Sequence, residues 1–568
     1  MYFPVSQQQP SSLPSLFRGS TPPTFGLSFA FGRTQGGVAA LAGRFLPRPH
    51  PPPKSVPAGG GRESRARAWR QETQAMPGDG RFKRMASSMN LTDIPQVVKD
   101  LRAAAYEEKE RVVHLMDIVA VHQQQNQAAL VQAGAIKPLI ELCSSGNDGA
   151  QIHAASTLAT IAAHSIPYQE QIIKGGAIQP LVNLLKQGSN EAMTYAAAAI
   201  ASLSEQHKNQ APIIKAGAIH PLVRLVRGDA TEASHVHAAE AMAHLATQNA
   251  AAQRTFHEAG AVPLLLELLH SGKSQTAAAM ALAKLLSPEE AQGEANKEIQ
   301  EEIARDGGIP PILALLSGMS TTSQVFAAEC LANLARGNEP IQGAIAKAGG
   351  IGPILAMLPS KNKEAQAQGA SALAQLAKAH HENQGSIARG GGIPLLVTLL
   401  LNVEMSVQAM GALALTEVCR GNPDNQTIAA ESGCIAALVD QLKSSASTAG
   451  IDEVKAEAVG AIWVISESHP ENKKAIAKAG GISPTVDLIA GGTSRANSHA
   501  ASALASLGFD NVENQVQITK QLVGLLYSGT PEARQNASLL AWRLIEENPN
   551  SHQVRLTRGH ALLLPLRD

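Results

Sequence analysis

Aromatic side chains are scarce in this sequence of 568 residues. Phe, Trp and Tyr account for 3% of it, whereas hydrophobic residues of all kinds account for 44%. Strands favour aromatic and β-branched side chains, so this composition disfavours mixed and all-β folds. Alanine and leucine must therefore fill most of the core. At about 150 residues per domain the length would predict roughly three or four domains, unless the chain is a repeat array.

Cysteine is also rare, and its positions exclude two common kinds of stabilising site. The four cysteines are Cys143, Cys330, Cys419 and Cys434. No two of them have C-x-x-C spacing, so the sequence predicts neither a disulfide framework nor a zinc site. We expect four small buried hydrophobic residues in a reducing compartment.

Motifs of catalysis are missing as well. The sequence contains no G-x-S-x-G, no H-E-x-x-H and no paired-carboxylate constellation on a glycine-rich scaffold. The segment Gly272–Thr276 resembles the end of a phosphate-binding loop, but Glu267 stands where that loop needs glycine, so we interpret it as an interhelix turn. His235 and His237 are two residues apart, which puts them on different sides of a helix, and we interpret them as solvated. The sequence therefore predicts no catalytic residue, no metal ligand, no cofactor and no enzyme.

Charge is unevenly distributed along a chain whose formal net charge is zero. Residues 1–90 contain 12 Lys and Arg residues against three Asp and Glu residues, so the remainder of the chain is acidic. Phosphate backbones are bound by clustered Lys and Arg, so we expect no nucleic-acid partner for that remainder. No window of about 18 uninterrupted apolar residues exists, and we expect no membrane-spanning helix.

Residues 1–90 are rich in Pro, Gly, Ser and Arg and show neither helical nor strand periodicity. Such a segment cannot bury enough apolar surface to fold alone, so we predict a disordered basic tail. Four interpretations stay open: a targeting segment, a plain solvated tail, an autoinhibitory arm that folds back onto the body, and an upstream extension, in which case Met85 or Met89 starts the protein. Tyr2 stands where myristoylation needs glycine, and no cysteine precedes Cys143, so we predict no lipid anchor.

A glycine followed by an apolar helix start recurs nine times after the tail. Examples are "AGAIKPLIELC", "GGAIQPLVNLL" and "GGIGPILAML". The marker glycines are Gly134, Gly176, Gly217, Gly260, Gly308, Gly350, Gly392, Gly433 and Gly481, spaced by about 42 residues. Because periods of this length are typical of solenoid proteins, the sequence predicts stacked helical repeats rather than separate domains.

Each repeat reads as three helices. A short helix precedes the glycine, a second follows it, and a longer alanine-rich helix such as "EAMTYAAAAIASLSEQ" ends the unit. The glycine suits a sharp turn, through either a left-handed conformation or close backbone approach. A proline such as Pro138 or Pro180 then falls in the first turn of the second helix, where its missing N–H costs nothing.

This combination of three helices, a period near 42 and glycine–proline placement resembles the armadillo repeat family. The resemblance implies an all-α, right-handed superhelical solenoid of about ten to eleven three-helix repeats over residues 91–547, with a C-terminal extension at 548–568. Divergent units at the two ends look like polar-faced caps. Within the family, the body is most similar to vacuolar and plant-type armadillo proteins, which act as adaptors.

In proteins of this family the third helices line a concave groove that holds a partner segment. The importin-alpha group uses a Trp and an Asn four residues apart on each third helix. In this sequence only Asn333 matches the Asn position, no Trp falls in register, and Trp463 lies one place away. The candidate groove residues at these positions are Thr160, Ser202, Glu240, His244, Lys284, Glu329, Asn333, Gln375, Glu417 and Ser506.

The function that we predict is a non-enzymatic scaffold or adaptor, a cytoplasmic monomer that binds extended or helical segments of other proteins along the groove. A nuclear or organellar location remains an alternative. Two further functions stay open: an importin-alpha-like carrier of basic peptide signals, and a membrane-associated adaptor of the vacuolar type. The acidic body favours basic partner segments and would also attract the basic tail.

Overall fold

The computed structural model describes residues 89–163, 165–227, 230–288, 297–445, 448 and 450–546. The described residues form 31 α-helices and no strand. Apart from residues 89 and 90, the predicted tail lies outside them, as does the predicted extension at 548–568.

The helices repeat in threes between two incomplete ends. The array opens with α1 (Ile94–Ala103) and α2 (Tyr106–His122). The first helices of the nine complete units are α3 (Gln124–Gln132), α6 (Ile166–Lys174), α9 (His207–Lys215), α12 (Ala250–Glu258), α15 (Lys297–Arg305), α18 (Glu339–Lys347), α21 (His381–Arg389), α24 (Pro423–Glu431) and α27 (Pro470–Lys478). The second helices are α4 (Ile136–Ser145), α7 (Ile178–Gln187), α10 (Ile219–Arg227), α13 (Ala261–Leu268), α16 (Ile309–Leu316), α19 (Ile351–Leu355), α22 (Gly392–Leu400), α25 (Cys434–Lys443) and α28 (Ile482–Gly491).

The third helices are α5 (Asp148–Ala162), α8 (Asn190–Ser204), α11 (Glu232–Ala246), α14 (Gln275–Leu285), α17 (Thr321–Ala335), α20 (Lys363–Ala377), α23 (Met405–Cys419), α26 (Ile451–Ser466) and α29 (Ser494–Gly508). The array closes with α30 (Val512–Ser528) and α31 (Pro531–Glu546). Within the described residues this gives eleven units when both ends are counted. The prediction of an all-α solenoid of ten to eleven repeats is confirmed.

Each third helix packs against the third helix of the next unit, from α2 and α5 onward to α26 and α29. Their contact surfaces are lined by small side chains; Ala196 and Ala197 of α8 are fully buried, for example. Small residues allow two helix axes to approach closely. One continuous core of buried Leu, Ile, Val and Ala side chains therefore runs along the array, as a stack of interdependent repeats requires.

The turn between first and second helices contains a left-handed glycine in every complete unit. In four units the marker glycine is not that residue; the glycine immediately before it has positive φ, at Gly307, Gly349, Gly391 and Gly480. The marker in those units is fixed by close approach instead, since a Cβ on Gly350 would lie 2.8 Å from the Ile345 side chain. Both predicted reasons for glycine, a left-handed conformation and close approach, therefore occur. In these four units the marker glycine follows the left-handed glycine by one residue.

Buried side-chain amides join the units through hydrogen bonds that the sequence pattern did not predict. The first helices carry a buried Asn or Gln near their start, such as Asn425 and Gln426 of α24. Asn425 Nδ2 donates to the Val418 carbonyl at 2.8 Å, at the end of the preceding third helix. Such carbonyls have no partner within their own helix, so a side-chain donor satisfies them. We call this row of first-helix amides the amide ladder.

The ladder also crosses between units. Gln384 Nε2 of α21 donates to the Glu417 and Arg420 carbonyls at 3.0 and 3.1 Å, at the end of the third helix of its own unit, and to the Ala377 carbonyl at 3.3 Å, at the end of the preceding unit's third helix. Asn425 Nδ2 lies 3.4 Å from the Gln384 carbonyl. The ends of consecutive third helices are therefore fixed to one another through first-helix amides.

The closing unit differs from the predicted polar cap. It lacks a marker glycine, and its first two helices are fused into the single helix α30. Its surface exposes Tyr527, Leu539 and Trp542, at 72%, 64% and 67%. Trp542 stands where internal units have a small buried residue, such as Ala374 at 0% exposure. This end therefore exposes apolar side chains where a polar face was expected, and α31 is the last helix of the described residues.

The four cysteines are buried free thiols. Burial disfavours the thiolate and raises the pKa of Cys143 and of Cys434 to about 12. They are packed as small hydrophobic residues, as the sequence predicted.

Candidate functional site

The side chains at every third or fourth position of the third helices remain partly accessible while the rest of each helix is buried. In α8 these positions include Tyr195, Ala198 and Ser202. We call the surface formed by such positions on all third helices the third-helix face. The candidate positions were chosen by this helical spacing, and they fall at two positions, one helical turn apart, as Glu240 and His244 of α11 do.

A histidine and a serine meet one carboxylate at the N-terminal end of the face. His153 Nδ1 lies 3.0 Å from Asp117 Oδ2, and Ser156 Oγ donates to Asp117 Oδ1 at 2.7 Å. The His153 ring stacks on His114 with centroids 4.0 Å apart. Burial, with the Asp117 charge second, raises the pKa of Tyr195 on the neighbouring helix. Asp117 belongs to α2, so the incomplete opening unit contributes to the face.

Glu240 and His244 occupy the middle of α11. Glu240 is 6% exposed, and its Oε2 lies 3.2 Å from His237 Nδ1. Burial lowers the pKa of His244 to about 4, with Glu240 acting in the opposite direction. His237 is 16% exposed at its side chain, so its interpretation as a solvated histidine was wrong: the third helices on either side enclose it.

Three candidate residues connect α14 to α17. Lys284 Nζ lies 2.5 Å from Glu329 Oε1, with side-chain exposures of 24% and 15%. Asn333 Nδ2 donates to the Ala283 carbonyl at 3.1 Å. The one residue that matches the importin-alpha Asn position is thus 5% exposed and engaged within the solenoid.

An aromatic side chain interrupts the row of small residues at α26. Trp463 occupies a position that is alanine or threonine in the other complete units, for example Thr416 in α23. The Arg420 guanidinium lies 5.3 Å from the Trp463 ring centroid and 3.3 Å from Glu417 Oε1. On the other side, the ring centroid of His499 is 6.2 Å from that of Trp463. The protein's own side chains therefore hold this indole on two sides.

Beside Trp463 lies a deeply buried carboxyl group. Glu457 is 2% exposed, and its Oε1 lies 2.5 Å from Arg495 Nη2. Burial raises the pKa of Glu457 to about 7, opposed chiefly by the Arg495 charge. This carboxyl group is out of reach of a large ligand.

Gln375 lies between the α17 and α23 candidates. Its side chain is 7% exposed, and its Oε1 finds no hydrogen-bond donor among the described residues. A buried acceptor without a donor is costly unless water or a ligand satisfies it. That oxygen is itself buried, so a bound segment would not reach Gln375 directly.

The remaining candidates are Thr160, Ser202 and Ser506, all partly exposed. Ser506 Oγ accepts a hydrogen bond from Ser466 Oγ at 2.9 Å, across two third helices. Six of the ten candidates are partly exposed, namely Thr160, Ser202, His244, Lys284, Glu329 and Ser506, whereas Glu240, Asn333, Gln375 and Glu417 are buried. Glu240, Lys284, Glu329, Asn333 and Glu417 contact partners within the solenoid. More of the candidate polar side chains contact other groups of the solenoid than the sequence predicted.

The features of the sequence that mimic enzyme motifs lie elsewhere. Gly272–Ser274 form the turn between α13 and α14, where Lys273 Nζ lies 3.3 Å from Glu232 Oε2. Within the described part of the chain no three His, Cys, Asp or Glu residues group to hold a metal ion. None of the described helices has the length and apolarity needed to cross a membrane.

Comparison with known proteins agrees with the helical pattern. Residues 123–163, which contain α3, α4 and α5, match the family model of the armadillo/beta-catenin-like repeat. A crystal structure of an engineered protein superposes with a TM-score of 0.60 at 29% identity, covering 74% of this chain and 99% of that chain. Another engineered protein, also 29% identical, covers 42% of this chain and 98% of that chain with a TM-score of 0.38. No curated protein matches the sequence.

Proposed function

The chain is built from armadillo-type repeats, and from this premise we propose that it is a non-enzymatic scaffold that binds segments of other proteins along the third-helix face. The observation that carries the proposal is the continuity of that face, since third helices pack side by side from α2 to α29. A long surface assembled from equivalent positions suits an extended or helical segment, whose own side chains repeat at regular intervals. We place this scaffold in the cytoplasm as a monomer.

Polar side chains that stay partly exposed support the same proposal, because a bound segment can reach them. Ser506 of α29 is one of them, and such groups can hydrogen-bond to the main chain of an extended segment. Thr160 and Ser202 offer hydroxyl groups at equivalent positions nearer the N-terminus. The face thus combines polar groups that can contact a segment with ion pairs that keep the helices in place.

The carrier of basic peptides has less support. A basic side chain would have to compete for carboxylates that already have cationic partners, namely Glu329 with Lys284, Glu417 with Arg420 and Glu457 with Arg495. Breaking such a pair leaves a partly buried charge behind, which costs more than the new contact gains. We therefore favour the general scaffold over the carrier.

A pair of arginine substitutions tests the proposal. Ser371→Arg places a bulky side chain on the third-helix face in α20, and Thr398→Arg places the same side chain on exposed second-helix surface in α22. Full-length protein and both variants would be used to capture proteins from a native lysate, with circular dichroism to confirm equal folding. We expect Ser371→Arg to lose specific proteins that Thr398→Arg retains.

The lysate experiment has a clear contrary result. Capture that is identical for the two variants would mean that partners bind elsewhere, and no specific capture by the unmodified protein would remove the scaffold proposal altogether. Capture with and without residues 1–85 would show in parallel whether the basic tail competes for the face.

A further inference from the structure

Helix α31 exposes two large apolar residues on one side. Leu539 and Trp542 are 64% and 67% exposed, and because they are three residues apart they lie next to each other on the helix surface. The opposite side of α31 carries the buried Ala533, Ala537 and Leu540. We call the surface formed by Leu539 and Trp542 the end face. Large apolar side chains that are exposed together mark a contact surface.

Equivalent positions in an internal unit contact the next third helix. Counted from the buried residues of each helix, Leu539 and Trp542 correspond to Gly460 and Trp463 of α26. A Cβ on Gly460 would lie 3.0 Å from His499 Nδ1, and the Trp463 ring centroid is 6.2 Å from that of His499. His499 belongs to α29, the third helix of the next unit. The end face is therefore the side on which a third helix meets its successor, and α31 is the last helix of the described residues.

This side of the third helices is covered at internal junctions. Ala374 and Thr416, which are equivalent to Trp542, are 0% and 4% exposed. Terminal repeats of a soluble solenoid normally present a polar outer surface, because the packing side of a repeat would otherwise attract a second array. The end face has the apolar composition of a covered junction, yet both of its side chains are mostly exposed. It therefore calls for a cover.

The chain continues after Glu546 with a polar stretch and then with an apolar one. Residues 561–566 include four leucines and no charged residue, and the fourteen residues 547–560 separate them from α31. Fourteen residues reach about 45 Å when extended, whereas the 16 residues of α31 span about 24 Å. Glu546 lies about one helical turn beyond Trp542. The apolar stretch is therefore long enough in its connection to return to the end face.

Connectivity favours this stretch over two other occupants. A segment tethered so close to its site has an effective concentration in the millimolar range, whereas a second copy reaches the end face only at the concentration of the protein itself. Residues 1–88 join the array at α1, which opens it, while α31 closes it. A longer connection lowers the effective concentration. The residues that follow Glu546 thus compete best for the end face.

We propose that residues 561–566 of this chain cover the end face, their leucine side chains contacting Leu539 and Trp542 where an internal unit receives the next third helix. Arg558 and Arg567, which flank the leucines, would then supply the polar outer surface that the end of a solenoid needs. The proposal does not depend on the binding of partners along the third-helix face. Molecules in which the segment is displaced expose the end face, so association at high protein concentration measures the uncovered fraction.

The fluorescence of Trp542 in the full-length protein tests this proposal. The sequence contains three tryptophans, so Trp69→Phe with Trp463→Phe leaves Trp542 as the only one. Acrylamide quenches an indole that it can touch, and it is uncharged, so its approach does not depend on charges introduced nearby. A covered Trp542 is shielded from acrylamide in the native protein and becomes accessible in urea, which gives the upper limit of quenching.

Two pairs of aspartate substitutions, made in this background, locate the cover. Leu562→Asp with Leu564→Asp changes the apolar stretch, and Gln553→Asp with Thr557→Asp adds the same charge to the polar stretch. We expect the leucine pair to raise acrylamide quenching of Trp542 by about twofold, because a bare end face leaves this residue 67% exposed and a cover removes much of that area from solvent. The leucine pair should also increase association in sedimentation experiments. The control pair should change neither quantity, and circular dichroism should be equal for all proteins.

Three outcomes would overturn the proposal. Quenching that is equal in the parent and in the leucine pair would mean a bare end face if it is strong in both, and a different cover if it is weak in both. Shielding of Trp542 that grows with protein concentration would identify a second copy as the occupant. An equal rise with the control pair would attribute the effect to added charge rather than to loss of the leucines.

Discussion

Lys284 and Glu329 form an ion pair between the third helices of two successive units, with Nζ and Oε1 2.5 Å apart. Both side chains are mostly shielded, at 24% and 15% exposure, so solvent screens the pair less than a surface pair. The contact helps to set the rotation of α17 relative to α14. The ion pair therefore both stabilises the packing of the third helices and contributes charged groups to the third-helix face.

The first prediction concerns the strength of this pair. Lys284→Met or Glu329→Gln alone should lower the apparent free energy of unfolding by about 1 to 3 kcal/mol, because each leaves a partly buried charge without its partner. The double variant should lose less than the sum, with a coupling of about 1 kcal/mol. Urea unfolding of the four proteins measures this. Strictly additive losses would mean that the pair contributes no interaction of its own.

The second prediction concerns pH and Glu457. Burial raises the pKa of Glu457 to about 7 from its ordinary value of 4.5, so between these two pH values the folded state retains a proton that the unfolded state releases. The stabilisation is complete below about pH 4.5 and is lost as pH rises through about 7. Glu457→Gln should remove this slope, so the unfolding free energy of the variant should rise relative to that of the parent by about 1 to 3 kcal/mol between pH 4.5 and pH 8.

The pH experiment must compare the unfolding free energies of parent and variant at each pH, because His244 makes stability change with pH in the opposite direction. Burial lowers the pKa of His244 from its ordinary value of 6.5 to about 4, so the stability that His244 contributes is present above pH 6.5 and is lost as pH falls through about 4. Subtracting the unfolding curve of Glu457→Gln from that of the parent isolates Glu457. A flat difference between pH 4.5 and pH 8 would show that Arg495 fully offsets the burial of the carboxyl group.

The sequence predicts which residues share the third-helix face, but not which of them pair. Helical spacing alone puts Lys284 and Glu329 on that face, since each helix has one accessible side. Their pairing depends on the register between units, and these two residues are 45 positions apart rather than one repeat of about 42. The relative depth of a carboxylate and its cation depends on packing between helices, which no pattern within one helix contains.

The burial of the amide ladder could not be predicted from the sequence, for a different reason. The dipeptide Asn-Gln near the start of first helices, as at Asn383 and Gln384, is visible in the sequence. Polar residues at a helix start are ordinarily exposed, so the pattern indicates solvated side chains. Both side chains are 1% exposed in the structure. The reason is that the carbonyls at the end of each third helix need donors, and that need appears only once the units are stacked.

The third prediction concerns the exposed end of the array. Leu539 in α31 is 64% exposed and Tyr527 in α30 is 72% exposed. Exposed apolar surface of this kind favours association. Leu539→Lys should reduce the weak association that monomers undergo only at high protein concentration, measured by sedimentation, and should change stability by less than about 0.5 kcal/mol. Gln535→Lys, at an exposed position of the same helix, adds the same charge. An equal effect of both variants would attribute the change to charge alone.

The fourth prediction concerns the coupling of units through Gln384. Its Nε2 donates to the carbonyls of Ala377, Glu417 and Arg420 at 3.3, 3.0 and 3.1 Å. Gln384→Leu keeps the volume but removes the donor, so it should cost about 2 to 3 kcal/mol. Because repeats are stabilised mainly by their neighbours, we also expect unfolding to separate into two transitions. Gln517→Leu, at an exposed position of α30, is the control. Hydrogen exchange should show faster opening on both sides of Gln384, and a uniform acceleration along the chain would contradict local coupling.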